Sequence, residues 1–176
     1  MLVAVGWRSP LEHTEDCPDD IRTHGLPDNR GMPPTVEIST DKSRLDVDFI
    51  HKGLSTTYWA EGRPRAMVVR TIEHSICFGA YIDGAQVGFA RVVSDRTIFA
   101  YLMDVYIAPE RRGAGIGTTL MTAIVAHQDL QGLRLFMLRT LDAHTFYQRF
   151  GFETVTDVAP LMARPDQSGP RSEQSA

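Results

Sequence analysis

Apolar and polar positions fall into short periodic blocks between residues 35 and 163. Thr35–Ser39 reads as a short strand. Asp41 stands as a cap ahead of a helix whose apolar residues Leu45, Phe49 and Leu54 recur near helical spacing. Pro64 suits the first turn of a second helix carrying Ala66, Val69 and Ile72. Ile76–Ile82 and Ala85–Val93 read as strands joined by Asp83-Gly84, a hairpin signal. Ser94-Asp95-Arg96 turns the chain into a long strand, Thr97–Ile107. The next helix runs from Gly115 to Gln128, with Ile116, Leu120 and Ile124 on one face beside Met121 and Val125. Arg134–Arg139 is a further strand, Ala143–Phe150 a short helix, and Phe152–Leu161 a final strand. The order β-α-α-β-β-β-α-β-α-β predicts an α/β fold of the mixed α+β kind, with helices on both faces of a mixed sheet.

Outside these blocks the chain loses its periodicity. Residues 1–34 are rich in Pro, Asp, His and Arg and read as a mobile N-terminal tail; residues 164–176 read as a second tail. What remains, 35–163, is one domain without internal repeats. The chain's 176 residues suffice for one full core, and 43% hydrophobic and 23% charged residues are ordinary for a soluble globular protein. A net charge of -4 implies no nucleic-acid surface, and no apolar run approaches the ~20 residues of a membrane helix. Cys77 lies in a strand-like run and Cys17 in the tail, so a disulfide is not expected and a reducing cytoplasm fits. His13, Cys17 and His24 match no zinc spacing, and no metal is expected.

The chemistry concentrates after the long strand. Val105-Tyr106-Ile107 stops at Ala108-Pro109, and Arg111-Arg112-Gly113-Ala114-Gly115-Ile116-Gly117-Thr118 opens a helix. Glycine allows positive φ and close backbone approach, and uncapped N–H groups at a helix start attract anions. The segment is therefore a candidate phosphate cradle. A P-loop needs a Lys after the last glycine, which is missing. A dinucleotide loop needs G-x-G-x-x-G, whereas the spacing here is G-x-G-x-G. A third pattern fits: Gln or Arg, two residues, Gly, one residue, then Gly or Ala, met by Arg112, Gly115 and Gly117.

That pattern resembles the pyrophosphate loop of the GCN5-related N-acetyltransferase (GNAT) superfamily. Downstream, Ala143, Tyr147, Gly151 and Phe152 resemble its late A-x-x-x-Y-x-x-x-G-F signature. The resemblance spans Thr35 to Met162. It implies a mostly antiparallel twisted sheet, acetyl-CoA as acyl donor, and direct transfer to a primary amine in a ternary complex. It implies that pantetheine pairs with the strand end at Val105, Tyr106 and Ile107, where a backbone N–H also serves the oxyanion. Arg112 and the amides from Gly113 through Ala114, Gly115, Ile116 and Gly117 to Thr118 would bind pyrophosphate. Tyr147 falls at the general-acid position.

The stretch Phe146–Phe152 is also similar to arylalkylamine N-acetyltransferases, but their histidine positions here are Tyr101 and Met103. The arylalkylamine substrate is not transferred. Asp104 is the alternative base; it also suits binding an ammonium or pairing with an arginine. Strand alternation places it on the face opposite Met103 and Val105 unless a bulge intervenes. Thr140 replaces the Asn many relatives carry for pantetheine. Trp59, Tyr58, Phe89, Arg91 and Tyr101 are candidates for the acceptor wall. The acceptor is a small-molecule amine or a protein amino group. Superfamily members are often homodimers, although no exposed stripe here argues for one. A catalytically silent acyl-CoA-binding sensor or interaction module is the alternative, supported by the missing histidine base and Thr140.

Overall fold

A computed structural model describes residues 35–159 and 161–164. The N-terminal tail with His13, Cys17 and His24, and the C-terminal run from residue 165, lie outside the described residues. The elements are β1 (Glu37–Ser39), α1 (Val47–Ser55), α2 (Arg65–Glu73), β2 (Ile76–Ile82), β3 (Ala85–Ser94), β4 (Phe99–Ile107), α3 (Ile116–Val125), β5 (Leu135–Leu138) and α4 (His144–Gln148). One five-stranded sheet has the order β1-β2-β3-β4-β5. All pairs are antiparallel except β4 with β5.

Helices cover both faces of the sheet. On one face Ile50, Leu54, Val68 and Ile72 of α1 and α2 pack with Cys77, Phe89 and Tyr106. On the other, Leu120, Met121 and Ile124 of α3 pack with Phe78, Ala90, Val92 and Leu102. Covered on both sides, β2 is buried along its whole length. In the hairpin after it, Asp83 (φ 49°) and Gly84 (φ 79°) both take positive φ, as a two-residue type I′ turn requires.

Four expected elements differ in extent. Asp41 caps only a single 3-10 turn, Lys42–Arg44, and α1 begins later. Asp46 caps α1, accepting from the N–H groups of Asp48 (3.0 Å) and Phe49 (2.9 Å). The long strand starts at Phe99 because the Asp95 carboxylate accepts from Thr97, Ile98 and Phe99 and holds them in a turn. Helix α3 ends at Val125, and Gln128–Leu130 form a separate 3-10 turn that buries Leu130. The final strand expected over Phe152–Leu161 is not formed among the described residues. Gly151 (φ 83°) turns the chain, Phe152 packs on Phe136 (ring centroids 5.2 Å apart), and Val155, Val158 and Leu161 stay exposed. Without a buried face, alternation does not fix a strand's register.

Candidate functional site

The site begins where β4 and β5 part. Their parallel pairing ends at Leu102 and Leu138, while β4 continues to Ile107. Ala108 donates its N–H to the Val87 carbonyl on the β3 side (2.9 Å). Backbone groups alternate sides along a strand, so Ile107, next to Ala108, turns its own toward the edge that β5 has left.

A bulge shapes this edge. Phe89 pairs with Tyr106 and Arg91 with Met103, so Ala90 alone faces two residues, Asp104 and Val105. Asp104 carries φ 54°, a conformation that costs roughly 1–2 kcal/mol for most residues and that Asp tolerates better than most. The extra residue resets alternation. Met103 pairs with Arg91 on the α1/α2 face, and Tyr106 lies on that face too, three residues later. There the ring of Tyr106 meets the edge of Phe49 (5.9 Å) and lies over Gly53.

Beyond Ile107, a 3-10 turn over Pro109–Arg111 leads to the glycines. Gly113 (φ 79°) and Gly115 (φ 80°) occupy left-handed conformations with open space around both Cβ positions. Gly115 is the N-cap of α3, and no side chain caps the helix. The first backbone bond of this turn runs from Thr119 N–H to the Gly115 carbonyl (3.0 Å). The amides of Ile116, Gly117 and Thr118 therefore have no intrahelical acceptor. Arg112 stands beside them, its Nε donating to the Ile107 carbonyl (3.1 Å). A Cβ on Gly117 would make only ordinary van der Waals contact with the Phe146 ring of α4, 3.5 Å away. Arg149, which the sequence reading did not nominate, donates from Nη2 to the Thr118 hydroxyl (2.7 Å) across the rings of Phe146 and Phe150.

Tyr147 lies half-buried on α4, edge-on to Phe146 (5.1 Å) and Phe152 (6.1 Å). Burial pushes its hydroxyl up to about 12, and Tyr58 and Asp142 act in the same direction. Tyr58 belongs to the α1–α2 connection and stacks edge-on against Trp59 (4.8 Å). Cys77 is buried with its thiol pushed up to about 11, chiefly by burial, so it is a poor nucleophile.

Asp104 sits under the α1/α2 face with 1% of its side chain exposed. Its Oδ2 accepts from Arg91 Nε (2.6 Å) and Arg63 Nη1 (2.7 Å), while Oδ1 is buried without a partner. Arg91 also donates to the Ser75 hydroxyl (3.3 Å).

The comparisons with known proteins decide the family. Residues 73–154 match the acetyltransferase (GNAT) domain. A Gibberella zeae protein named as an acetyltransferase is 34% identical over 140 residues, 66% of this chain and 78% of that one. This chain is a GNAT acetyltransferase. A crystal structure of a GNAT-family protein from Xanthomonas campestris is 52% identical with TM-score 0.74, covering 77% of this chain and 96% of that one. The fold also matches the aminoglycoside N-acetyltransferase AAC(6')-Iy, solved in complex with CoA (19% identity, TM-score 0.57, 77% of this chain and 97% of that one).

In this GNAT domain the nominated residues divide. Val105, Tyr106 and Ile107 end β4 and run directly into Arg112 and the loop through Gly113, Ala114, Gly115, Ile116, Gly117 and Thr118. Trp59 is 43% exposed and Tyr101 half-buried, so both are open to solvent. Arg91 is different: its guanidinium is buried and committed to Asp104 and Ser75, beneath the surface where the sequence reading placed it as an acceptor wall. The Thr140 hydroxyl accepts from the Ala143 N–H (3.1 Å), at the entry to α4. Among the described residues no group of three His, Cys, Asp or Glu side chains is placed to hold a metal ion, and no helix is long and apolar enough to cross a membrane.

Proposed function

We propose that this chain transfers an acetyl group from acetyl-CoA to a primary amine by direct attack in a ternary complex. One observation carries the reading: an unpaired β4 edge leads straight into an uncapped, glycine-lined start of α3. The fit to a pyrophosphate-bearing donor rests on the three free amides, the open left-handed glycines and Arg112. The CoA complex of AAC(6')-Iy supports the same donor on this fold.

Bound acetyl-CoA supplies an activated acyl carbonyl and a thiol leaving group. The backbone of Val105 and Ile107 aligns the pantetheine arm along the free edge. The Val105 N–H stabilises the oxyanion, a role in which fixed donors are worth several kcal/mol. Tyr147 hydrogen-bonds the departing sulfur and returns its proton. Its hydroxyl stays protonated at neutral pH, and its raised value widens the uphill gap from a thiol near 8.5, so it acts chiefly as a donor with rapid proton replenishment. Asp104 is already shared by two guanidinium groups and its side chain is closed to solvent, so the amine's proton leaves to water and Asp104 supports the strand. Tyr58, Trp59 and Tyr101 form the acceptor side, which suits an apolar or cationic amine, whether a small molecule or a protein amino group.

The test is calorimetric titration with acetyl-CoA, with ATP and NADH as controls, followed by thiol release across a panel of primary amines. Selective acetyl-CoA binding with amine-dependent release supports the proposal. Binding without release on every amine favours the acyl-CoA sensor. A folded sample that binds no acetyl-CoA overturns both readings.

A further inference from the structure

Among the described residues, Asp104 is the one buried carboxylate that the sheet holds in a left-handed conformation, and it is clamped from two directions. Arg91 comes from the neighbouring strand β3 and is itself anchored on Ser75 at the start of β2. Arg63 comes from the connection between α1 and α2, the same loop that carries Tyr58 and Trp59. That loop is tied down at Arg63 as well: the Arg63 carbonyl meets His51 Nε2 of α1 (3.1 Å), and its N–H donates to the Ala60 carbonyl (3.1 Å). A long-range bond therefore joins the acceptor-side loop to the bulge residue itself.

The bulge residue has a specific mechanical position. The peptide between Asp104 and Val105 carries the Val105 N–H, and the backbone angles of Asp104 set the plane of that peptide. Whatever holds the Asp104 side chain thus holds the direction of the Val105 N–H, the group given the oxyanion in the acyl-transfer reading above. Arg91 is buried and fixed by the sheet, whereas Arg63 has 15% of its side chain exposed and sits on a loop. Of the two clamps, Arg63 is the one carried by the loop.

We propose that Arg63 and Asp104 form a positioning pair that couples the 56–64 loop to the Val105 amide, so that the placement of the acceptor-side loop sets how strongly the thioester carbonyl is polarised. This rests on the acyl-transfer reading above and adds two residues that touch neither substrate. The pyrophosphate cradle, Arg112 and the first amides of α3, uses other atoms than the pair, so donor affinity and carbonyl polarisation separate.

The experiment uses the full chain with Arg63→Lys, Arg63→Met, Asp104→Asn and the double variant Arg63→Met/Asp104→Asn. CoA, which lacks the acyl carbonyl, probes the cradle by calorimetry. Acetyl-CoA labelled with heavy carbon at the carbonyl probes the oxyanion amide by difference infrared spectroscopy. In the wild type the bound carbonyl stretch falls below its free position. Arg63→Met and Asp104→Asn return it toward the free position, the double variant goes no further than either single one, and Arg63→Lys lies between. CoA affinity stays within about twofold throughout, against a loss of about tenfold for each 1.4 kcal/mol removed from the cradle itself. Arg63→Lys keeps the charge at a partly exposed position and serves as the folded test should a buried variant fail to fold. The inference is overturned if Arg63→Lys and Arg63→Met keep the full wild-type shift, if CoA affinity falls in parallel with it, or if the wild-type carbonyl does not shift on binding. A folded wild type that binds no acetyl-CoA instead overturns the acyl-transfer reading, and this inference with it.

Discussion

Replacing Tyr147 by Phe removes one oxygen and leaves the ring. The edge-to-face contacts with Phe146 and Phe152 depend on the ring, so packing survives. Stability at neutral pH should change by less than about 1 kcal/mol. The rate should change much more. A positioned proton donor is worth about a hundredfold at the lower end of its usual range, or about 2.7 kcal/mol of barrier. The lower end applies because a hydroxyl at about 12 is a weak acid toward a thiolate. Acetyl-CoA affinity should stay within about twofold, because the cradle amides are untouched. The same hydroxyl leaves a second signature. Unfolded tyrosine ionises near 10 and the folded one at about 12. The folded state therefore holds its proton longer, and this share of stability is complete below about pH 10 and lost as pH rises through about 12. A shift of this size is at most about 2.7 kcal/mol, reduced to about 2 because water still reaches part of the ring. Urea unfolding near pH 8 and again near pH 11 should show a steeper alkaline fall in the wild type than in Tyr147→Phe. Tyr81 and Tyr106 are also raised, but they are common to both proteins and cancel in the difference. Unchanged turnover in the variant, measured where chemistry limits the rate, removes Tyr147 from the mechanism. Parallel alkaline curves show that its burial has been misjudged.

Gly115→Ala adds a methyl group into open space but forces it to φ 80°, so the penalty of about 1–2 kcal/mol is purely conformational and should weaken acetyl-CoA binding several-fold by calorimetry. Gly53→Ala drives a Cβ into the Tyr106 ring at Cε1; it should lower stability by about 1–3 kcal/mol in urea melts and raise KM or lower kcat by disturbing the strand end. Asp46→Ala removes the carboxylate that satisfies two amides of α1 and should destabilise the chain by about 1 kcal/mol, while Asp41→Ala, which caps only one short turn, should matter less in the same thermal melt.

The strand, glycine turn and helix over residues 105–125 were legible because their signals are local. Positive φ at Gly113 and Gly115, a strand stopped at Pro109, and an apolar stripe along α3 each lie within a few residues of one another. The hairpin between β2 and β3 was legible for the same reason, since Asp83 and Gly84 are the residues a type I′ turn selects. The losses come where two local signals compete or where only tertiary contact decides. Asp41 and Asp46 both offer a capping carboxylate, and the backbone of Leu45 is extended between them, so the helix follows the second. The run after Gly151 alternates like a strand, yet its apolar residues meet no face that would choose a register. Arg149 reaches Thr118 across the interface between α4 and α3, a contact no spacing rule announces.

Asp104 shows how one unseen residue of geometry redirects the chemistry. Read as regular strand, it lies opposite Met103 and Val105, and a carboxylate in that place is a reasonable base. A bulge was needed to put it elsewhere, and the usual sign of a bulge is a glycine, which β4 lacks. With Asp in the left-handed position instead, the register shifts by one, and the carboxylate meets Arg91 and Arg63 on the α1/α2 face. The same shift brings Tyr106 onto that face, where Phe49 and Gly53 receive it. Removing one partner of a buried pair costs about 3–5 kcal/mol because the other charge is left uncompensated, so the Asp104 carboxylate stays between its two guanidinium groups. The acceptor side therefore depends on a loop and a bulge rather than on a motif. On the proposed reading, residues 56–64, which carry Tyr58 and Trp59, are where acceptor preference would be sought, rather than the cradle.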